Sequence, residues 1–351
     1  MFGIVKNEPK PGITWRNVAA APAPGHGEVT IAVHKAGICG TDYHIFAWDR
    51  WSAARVPTPM VIGHECVGHI VATGPGVAHL HQGQRVSVEC HIACGHCVHC
   101  RTGNTHICGN VRIIGIDRPG CFTEAVTVPA ANVWPVPDSI PDRHAAVFDP
   151  IGNAMHAATS VPIAGQDVLI IGAGPIGLFA VAIARAHGAR RVIVQEPHPY
   201  RAGIAQRLGA DLVIDPNDAD GAGQVLAATG GAGPATILEM SGNARALNDA
   251  LDMARNGADV ALLGLFASPV TIDLSKSVIM KGITLHGVTG RRMFETWYQV
   301  EAFVANHPDA IDLVVTHILP ASEYDQGFAL MGKGDCGKVV LDFASLDRVA
   351  A

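Results

Sequence analysis

The most regular pattern in the chain lies beyond its midpoint, where short apolar runs alternate with helical patterns. Asp167–Ile171 is an apolar run of the kind expected for a strand that is buried on both faces. An apolar helical pattern follows to about His187, and Arg191–Glu196 predicts the next strand. Three further strand patterns continue the alternation, at Asp211–Ile214, Ala235–Met240 and Val260–Leu263. This order predicts a doubly wound parallel sheet in an α/β fold.

The first part of the chain has a different pattern. Short β-type runs such as Val29–Val33 and Gly68–Ala72 lie between glycine and proline turn signals, which indicates a β-rich unit. The last sixty residues lose the strand–helix alternation, and we expect them to return to the first unit. The predicted division is a β-rich domain at 1–154, a parallel-sheet domain at 155–290, and a return to the first domain at 291–351.

Composition and charge limit the partners. The chain has 351 residues, of which 48% are hydrophobic and 16% charged, so it can form large buried cores. Its formal charge is −6 without a basic tract, which argues against nucleic acid and anionic membranes. The N-terminus lacks a signal-peptide pattern, and glycines interrupt the apolar run Val168–Ala184, so we expect no membrane span. A small-molecule substrate remains the expected partner.

Four of the nine cysteines form a cluster that predicts a metal site. They are Cys94, Cys97, Cys100 and Cys108, in a lobe at about 90–110. Four thiolates at this spacing close a tetrahedral zinc site, which indicates a structural role. The rivals are an iron–sulfur cluster, unligated core cysteines and a nucleic-acid zinc ribbon. The ferredoxin run has a shorter last gap followed by proline, whereas Gly109 follows here. Thiolates on a metal indicate a reducing cytoplasm.

A second candidate metal set consists of Cys39, His64 and Glu65. A catalytic zinc ion keeps three protein ligands and an exchangeable position, and this donor set suits zinc. Two polar groups, Thr41 and His44, follow Cys39 closely. Asp149 is a further candidate with two roles left open: a direct zinc ligand, or a group that orients the zinc-bound water.

The loop Gly172-x-Gly174-x-x-Gly177, with Pro175 and Ile176 inside it, follows a predicted strand and begins a helix. That context indicates a dinucleotide site, because the glycines allow the tight turn and the close approach of pyrophosphate to the helix N-terminus. Glu196 ends the next predicted strand, where a carboxylate accepts the ribose hydroxyls and favours NAD over NADP. Arg201 nearby leaves NADP open.

The metal and glycine motifs resemble those of the zinc-dependent medium-chain dehydrogenases, over nearly the whole chain. Two narrower stretches, Trp48–Trp51 and Met293–Trp297, point to the branch of that family that acts on threonine. The other matching stretches are Ile38–Ile45, Pro59–Glu65, His91–Cys97, Arg118–Phe122, Asp149–Ala154, Glu239–Gly242 and Gly290–Tyr298.

The resemblance implies a GroES-like catalytic domain, a Rossmann domain and a homotetramer with one catalytic and one structural zinc ion per subunit. It assigns Cys39, His64 and Glu65 to the catalytic zinc, and Thr41 and His44 to a proton relay. The positions that match NAD contacts are Ile176, Glu196, Arg201, Leu263, Gly264, Leu265, Val288 and Thr289.

The expected reaction is NAD-dependent oxidation of the L-threonine 3-hydroxyl to 2-amino-3-oxobutanoate. Arg291 is a candidate for the substrate carboxylate, with a cofactor contact or a domain junction as its alternatives. His91 is a candidate for the substrate pocket or for a structural role. A polyol or diol dehydrogenase on the same scaffold is the nearest rival. A non-catalytic protein that binds NAD and zinc is the rival of another class.

Overall fold

The structure is a computed structural model that describes residues 1–344. Residues 345–351 of the predicted last segment lie outside the described residues. The strands are β1 (Phe2–Lys6), β2 (Thr14–Asn17), β3 (Glu28–Gly37), β4 (Met60–Val61), β5 (Glu65–Thr73), β6 (Arg85–Val88), β7 (His91–Ile92), β8 (Arg112–Ile113), β9 (Ala125–Pro129), β10 (Val133–Pro135), β11 (Asp167–Ile171), β12 (Arg191–Gln195), β13 (Leu212–Ile214), β14 (Thr236–Glu239), β15 (Asp259–Leu262), β16 (Thr284–Gly287), β17 (Val315–Pro320) and β18 (Lys338–Asp342).

The α-helices pack around these strands. They are α1 (Gly40–Ala47), α2 (Arg50–Arg55), α3 (Val98–Arg101), α4 (Asp142–Ala145), α5 (Phe148–Thr159), α6 (Pro175–Ala186), α7 (Pro199–Arg207), α8 (Gly221–Ala228), α9 (Ala244–Met253), α10 (Glu295–Asn306), α11 (Pro308–Val314) and α12 (Tyr324–Lys333). Within residues 1–344, no helix combines the length and the apolar character needed to cross a membrane.

The predicted parallel sheet is confirmed. Its six strands lie in the order β13-β12-β11-β14-β15-β16. This is the doubly wound order, in which the chain adds strands on one side of the first strand, β11, and then on its other side. Each interior residue of β11 is buried, because helices cover both faces of the sheet. The register aligns Ile171 with Gln195 on one side and with Glu239 on the other. The carboxyl ends of the strands therefore meet at one edge, where such sheets bind ligands.

The β-rich first unit is also confirmed. Its main sheet has seven strands, in the order β10-β6-β5-β3-β18-β17 with β9 beside β3. The antiparallel pairing of β3 with β5 sets Gly37 opposite Glu65. This register brings the segment that follows β3 next to the start of β5, which is where the predicted metal ligands lie.

The segment that begins at residue 291 divides between the two units. Helix α10 packs against α5, and α11 packs against α6, because apolar side chains such as Trp297 and Ile311 face the core shared by those helices. Strand β18 then pairs antiparallel with β3, from Val340 opposite Gly37 to Asp342 opposite Lys35. The strands of this segment thus extend the first sheet, and α12 packs against β17 and α1 in the first unit, whereas α10 and α11 pack against helices of the parallel-sheet unit.

Candidate active site

Three metal-binding side chains meet at the end of the first sheet. Cys39 follows β3, while His64 and Glu65 lie at the start of β5. One donor atom from each of the three side chains lies within 4.8 Å of the other two. A thiolate, an imidazole and a carboxylate at this spacing fit a zinc ion that keeps an exchangeable position.

Asp42 faces the Nδ1 side of the His64 imidazole. Asp42 is fully buried, and its Oδ1 lies 3.6 Å from His64 Nδ1. Its Oδ2 accepts a hydrogen bond of 2.9 Å from the backbone N–H of Cys39. Burial disfavours the charged imidazole, but Asp42 and Cys39 outweigh that effect and raise the pKa of His64. Because Nδ1 faces Asp42, Nε2 is the nitrogen available to a metal.

A buried lysine offsets the charge of Glu65. The Nζ of Lys338, on β18, lies 2.7 Å from Oε1 of Glu65 and 2.6 Å from Oε2. Burial raises the pKa of Glu65, and Lys338 opposes that rise. Burial lowers the pKa of Lys338, but the anions Glu65 and Cys39 prevail and raise it. The site therefore holds a resident cation beside the carboxylate that would bind the metal.

Asp149, at the start of α5, lies outside this three-residue group. Its Oδ1 is 2.8 Å from the guanidinium of Arg291 and accepts a bond of 3.2 Å from Asn153. The Cys90 thiol donates to its Oδ2 over 3.3 Å. Because Asp149 lies outside the group of three donors, the geometry favours its orienting role over direct ligation.

Arg291, one of whose predicted roles is to bind a substrate carboxylate, lies in a buried cluster of ion pairs. Arg291 is 1% exposed and contacts both Asp149 and Glu89, with its Nε donating to Glu89 Oε2 over 2.7 Å. Trp297 donates to the same oxygen over 2.8 Å. Two buried carboxylates neutralise this guanidinium, which leaves no charge for a substrate. Among the roles left open for Arg291, these contacts favour the structural one, a domain junction.

Glu89 is the centre of this junction. Burial raises its pKa, but Arg291 outweighs burial and holds the pKa well below its usual range. The backbone N–H of His91 donates to Glu89 Oε1 over 2.8 Å, and His91 Nδ1 lies 3.0 Å from the same oxygen. His91 is half-buried beside these groups, and its contacts with Glu89 favour the structural one of its two predicted roles.

Thr41 and His44 line one wall of a cleft of about 640 Å³. Helix α2 and the loop at 265–269 line the rest of it. The Nδ1 of His44 lies 2.6 Å from Oδ2 of Asp49, the residue that caps the N-terminus of α2. Both predicted relay residues therefore face the space between the first unit and the parallel-sheet unit.

The four clustered cysteines come together as predicted for a metal lobe. The Sγ atoms of Cys94 and Cys100 are 4.0 Å apart. The Sγ atom of Cys97 lies 3.5 Å from that of Cys100 and 3.8 Å from that of Cys108. Zinc–sulfur bonds of about 2.3 Å in a tetrahedron separate the sulfurs by about 3.8 Å. Backbone N–H groups of His96 and Cys97 lower the pKa of the Cys94 thiol to about 6. The lobe thus fits one zinc ion held by thiolates.

The glycine loop lies at the carboxyl end of β11. Gly172 has a φ of 88°, in the left-handed region. A Cβ on Gly177 would lie 2.0 Å from the carbonyl oxygen of Gly172. Gly174 caps α6, and Pro175 is at the start of that helix with Ile176 next to it. The loop and the helix N-terminus form the cradle that a pyrophosphate needs.

Glu196 follows β12 and faces this loop. Its Oε2 accepts a bond of 2.7 Å from the backbone N–H of Ala173, and its Oε1 accepts one of 2.9 Å from His198. Arg201 donates from Nε to the backbone carbonyl of Cys336 over 3.2 Å. The remaining predicted cofactor contacts follow the ends of β15 and β16, and they are Leu263, Gly264, Leu265, Val288 and Thr289.

Comparison with known families assigns the chain. Residues 25–138 match the alcohol dehydrogenase GroES-like domain, and residues 175–306 match the zinc-binding dehydrogenase family. A protein from Anaeromyxobacter sp. (strain Fw109-5) named L-threonine 3-dehydrogenase is 45% identical over 98% of this chain and 100% of its own length. The chain belongs to the zinc-binding dehydrogenase family. This zinc-binding dehydrogenase is accordingly an oxidoreductase.

Further relatives cover the zinc-binding dehydrogenase almost end to end. Proteins named L-threonine 3-dehydrogenase from Bacillus licheniformis and Pyrococcus furiosus are 43% and 42% identical, each over 97% of this chain and 98% of its own length.

Solved structures share the fold of this zinc-binding dehydrogenase. The alcohol dehydrogenase from Thermus sp. ATN1 is 28% identical with a TM-score of 0.87, covering 97% of this chain and 99% of its own. A zinc-binding dehydrogenase from Sinorhizobium meliloti bound to NADP is 27% identical with a TM-score of 0.87, covering 97% and 98%. An alcohol dehydrogenase from Escherichia coli CFT073 complexed with NADH is 28% identical with a TM-score of 0.86, covering 98% and 99%.

Several residues of the site in this zinc-binding dehydrogenase were not predicted from the sequence. Asp42 carried a local signal, because an acid three residues after Cys39 can cap the helix and reach back to it. Lys338 and Glu89 carried none, since each lies far along the chain from its partner. Their roles depend on sheet register and on packing between the two units.

Proposed function

We propose that this protein oxidises the 3-hydroxyl of L-threonine to 2-amino-3-oxobutanoate, with NAD as the acceptor. The C3–H bond breaks as hydride leaves for the nicotinamide, the hydroxyl proton is released, and the products are the ketone, NADH and a proton. The observation that carries this proposal is the identity of 42–45% to relatives named L-threonine 3-dehydrogenase over nearly the full chain. The donor set of Cys39, His64 and Glu65 supports it.

Cys39, His64 and Glu65 would hold the catalytic zinc, with Asp42 and Lys338 fixing two of them. When bound, zinc lowers the pKa of a coordinated hydroxyl, and NAD accepts hydride. Asp149, which pairs with Arg291, would orient a hydrogen-bonding group near that ion. A second zinc ion would lie in the cysteine lobe, which gives two ions per subunit.

Thr41 and His44 would carry the hydroxyl proton to solvent. Both line the cleft, and a neutral imidazole is suited to accept a proton near neutral pH. The loop at Gly172–Gly177 would hold the pyrophosphate, and Glu196 would accept the ribose hydroxyls. We propose NAD rather than NADP because a buried carboxylate beside the ribose site repels a 2′-phosphate.

The remaining proposals concern organisation. We propose domains at 1–154 and 155–290 with a return at 291–351, a homotetramer as in the resembling family, and a cytoplasmic location. The nine cysteines support the location, since none of them is paired in a disulfide and a metal lobe of thiolates needs a reducing compartment. Light scattering of the purified protein measures the assembly.

A substrate and cofactor panel tests the proposal. Initial rates are measured with L-threonine, butane-2,3-diol and sorbitol, each with NAD and with NADP. The proposal expects the highest kcat/KM for L-threonine with NAD. A higher value for either diol or polyol assigns the scaffold to the rival substrate class, and a preference for NADP removes the role given to Glu196.

A further inference from the structure

The turn between α1 and α2 fixes the His44 imidazole. Trp48 caps the C-terminus of α1, has a φ of 57° and donates its N–H to the carbonyl of His44. The ammonium of Lys6 lies 4.6 Å from the centre of the Trp48 ring. The chain therefore turns at Trp48, and this turn places the Asp49 carboxylate next to Nδ1 of His44.

Asp49 is itself held in place by Ser52. The backbone N–H of Ser52 donates to Asp49 Oδ1 over 2.9 Å, and the Ser52 hydroxyl lies 3.0 Å from the same oxygen. This leaves Oδ2 for His44 at 2.6 Å. Burial raises the pKa of Asp49, but the bonds from Ser52 and His44 outweigh it and lower that pKa. The carboxylate is therefore ionised at working pH and can only accept hydrogen bonds.

We propose that Asp49 is a positioning residue that fixes the neutral His44 as the Nδ1–H tautomer. An ionised carboxylate has no proton to share, so the bond to Oδ2 requires the hydrogen on Nδ1. Nε2 then keeps its lone pair and is the nitrogen that accepts a proton from the cleft. The inference rests on the proposed relay through Thr41 and His44.

The Asp49→Asn variant isolates this role. Asparagine is as good an N-cap as aspartate, and its carbonyl keeps the two bonds from Ser52. Its NH₂ group then replaces Oδ2 and donates to Nδ1, which places the imidazole hydrogen on Nε2. The fold and the N-cap of α2 persist, while Nε2 of His44 carries a hydrogen and can no longer accept a proton. We expect kcat to fall by about 10-fold or more, since general-base catalysis contributes about 10²–10⁴-fold, with little change in either KM.

The matched control is another Asp→Asn substitution near α2, at a residue that does not contact His44. Asp117 accepts bonds from Arg55, at the end of α2, over 3.1 and 2.8 Å, and its pair does not include His44. Asp117→Asn therefore loosens α2 without changing the tautomer, and kcat should stay near the unmodified value. A kcat loss in Asp117→Asn as large as that in Asp49→Asn would reduce the effect to helix movement and overturn the proposal.

Nitrogen-15 NMR of histidine-labelled protein reads the tautomer directly. The His44 signals are assigned by their loss in His44→Asn, and the unmodified enzyme should show the Nδ1–H form above neutral pH. An Nε2–H form in the unmodified enzyme would overturn the proposal even if Asp49→Asn did not fold. If His44→Asn retains full kcat, the relay of the proposed function fails. If His44→Asn loses rate and Asp49→Asn does not, only the inference about Asp49 fails.

Discussion

Replacing Arg291 with methionine should destabilise the protein strongly. Methionine keeps most of the side-chain length and removes the positive charge that pairs with Glu89 and Asp149. Glu89 is fully buried and Asp149 is 4% exposed, so neither carboxylate can turn to water. Breaking a buried ion pair by removing one partner costs about 3–5 kcal/mol. We expect Arg291→Met to lose that amount in urea unfolding of the zinc-loaded protein.

A second pair in the same chain supplies the control. Arg143 binds Asp312 with a similar two-bond geometry, at 2.7 and 3.1 Å, but their side chains are 41% and 44% exposed. Exposed pairs contribute about 0–1 kcal/mol, so Arg143→Met should lose little stability. Adding Glu89→Gln to Arg291→Met should recover part of the loss, because one of the two uncompensated carboxylate charges is then gone.

The pH dependence gives an independent check with a defined sign. The pKa of Glu89 is depressed in the folded protein, so its contribution to stability is present above the unfolded pKa of about 4.3 and is lost as the pH falls. The difference in stability between the unmodified protein and Arg291→Met should therefore be largest near neutral pH and shrink in acid. A loss below about 1 kcal/mol together with a raised KM for L-threonine would refute this reasoning and return Arg291 to the substrate.

Three further perturbations test other parts of the site. Gly177→Ala should raise the KM for NAD at least several-fold while zinc content stays constant, because the new Cβ would lie 2.0 Å from the Gly172 carbonyl oxygen. The control is Gly203→Ala, whose Cβ would meet nothing within 4 Å outside its chain neighbours and its own helix backbone. Cys100→Ser should lower the zinc content by about one ion per subunit, measured by metal analysis, because the lobe then lacks one of its four thiolates. Lys338→Met should destabilise the metal-free protein by about 3–5 kcal/mol, because it leaves the buried Glu65 carboxylate unpaired. The zinc-loaded protein should lose less stability, since zinc then neutralises Glu65. Equal losses in both states would contradict the role of Glu65 as a partner of both Lys338 and zinc.

The sequence predicted those parts of the molecule whose determinants are local. The apolar run Asp167–Ile171 is the strand β11, and the glycine loop follows it at the predicted place. The cysteine lobe also follows from spacing alone, since Cys94, Cys97 and Cys100 lie within a few residues of one another. In each case one short segment carries both the element and its chemistry.

The parts that were missed depend on contacts between distant segments. Lys338 reaches Glu65 only because β18 pairs with β3, which itself pairs with β5. The position of Arg291 depends on the packing of α10 against α5, which buries it beside Glu89. Its charge suggested a ligand for an anion, and the fold supplies two anions from within the protein.

The most direct test of the whole account is NADH formation from L-threonine by the zinc-loaded protein, measured with and without a chelator. The account predicts turnover that stops when the chelator removes the metal and returns when zinc is restored. Turnover that persists in metal-free protein, or none from L-threonine while zinc and NAD are both bound, would contradict it.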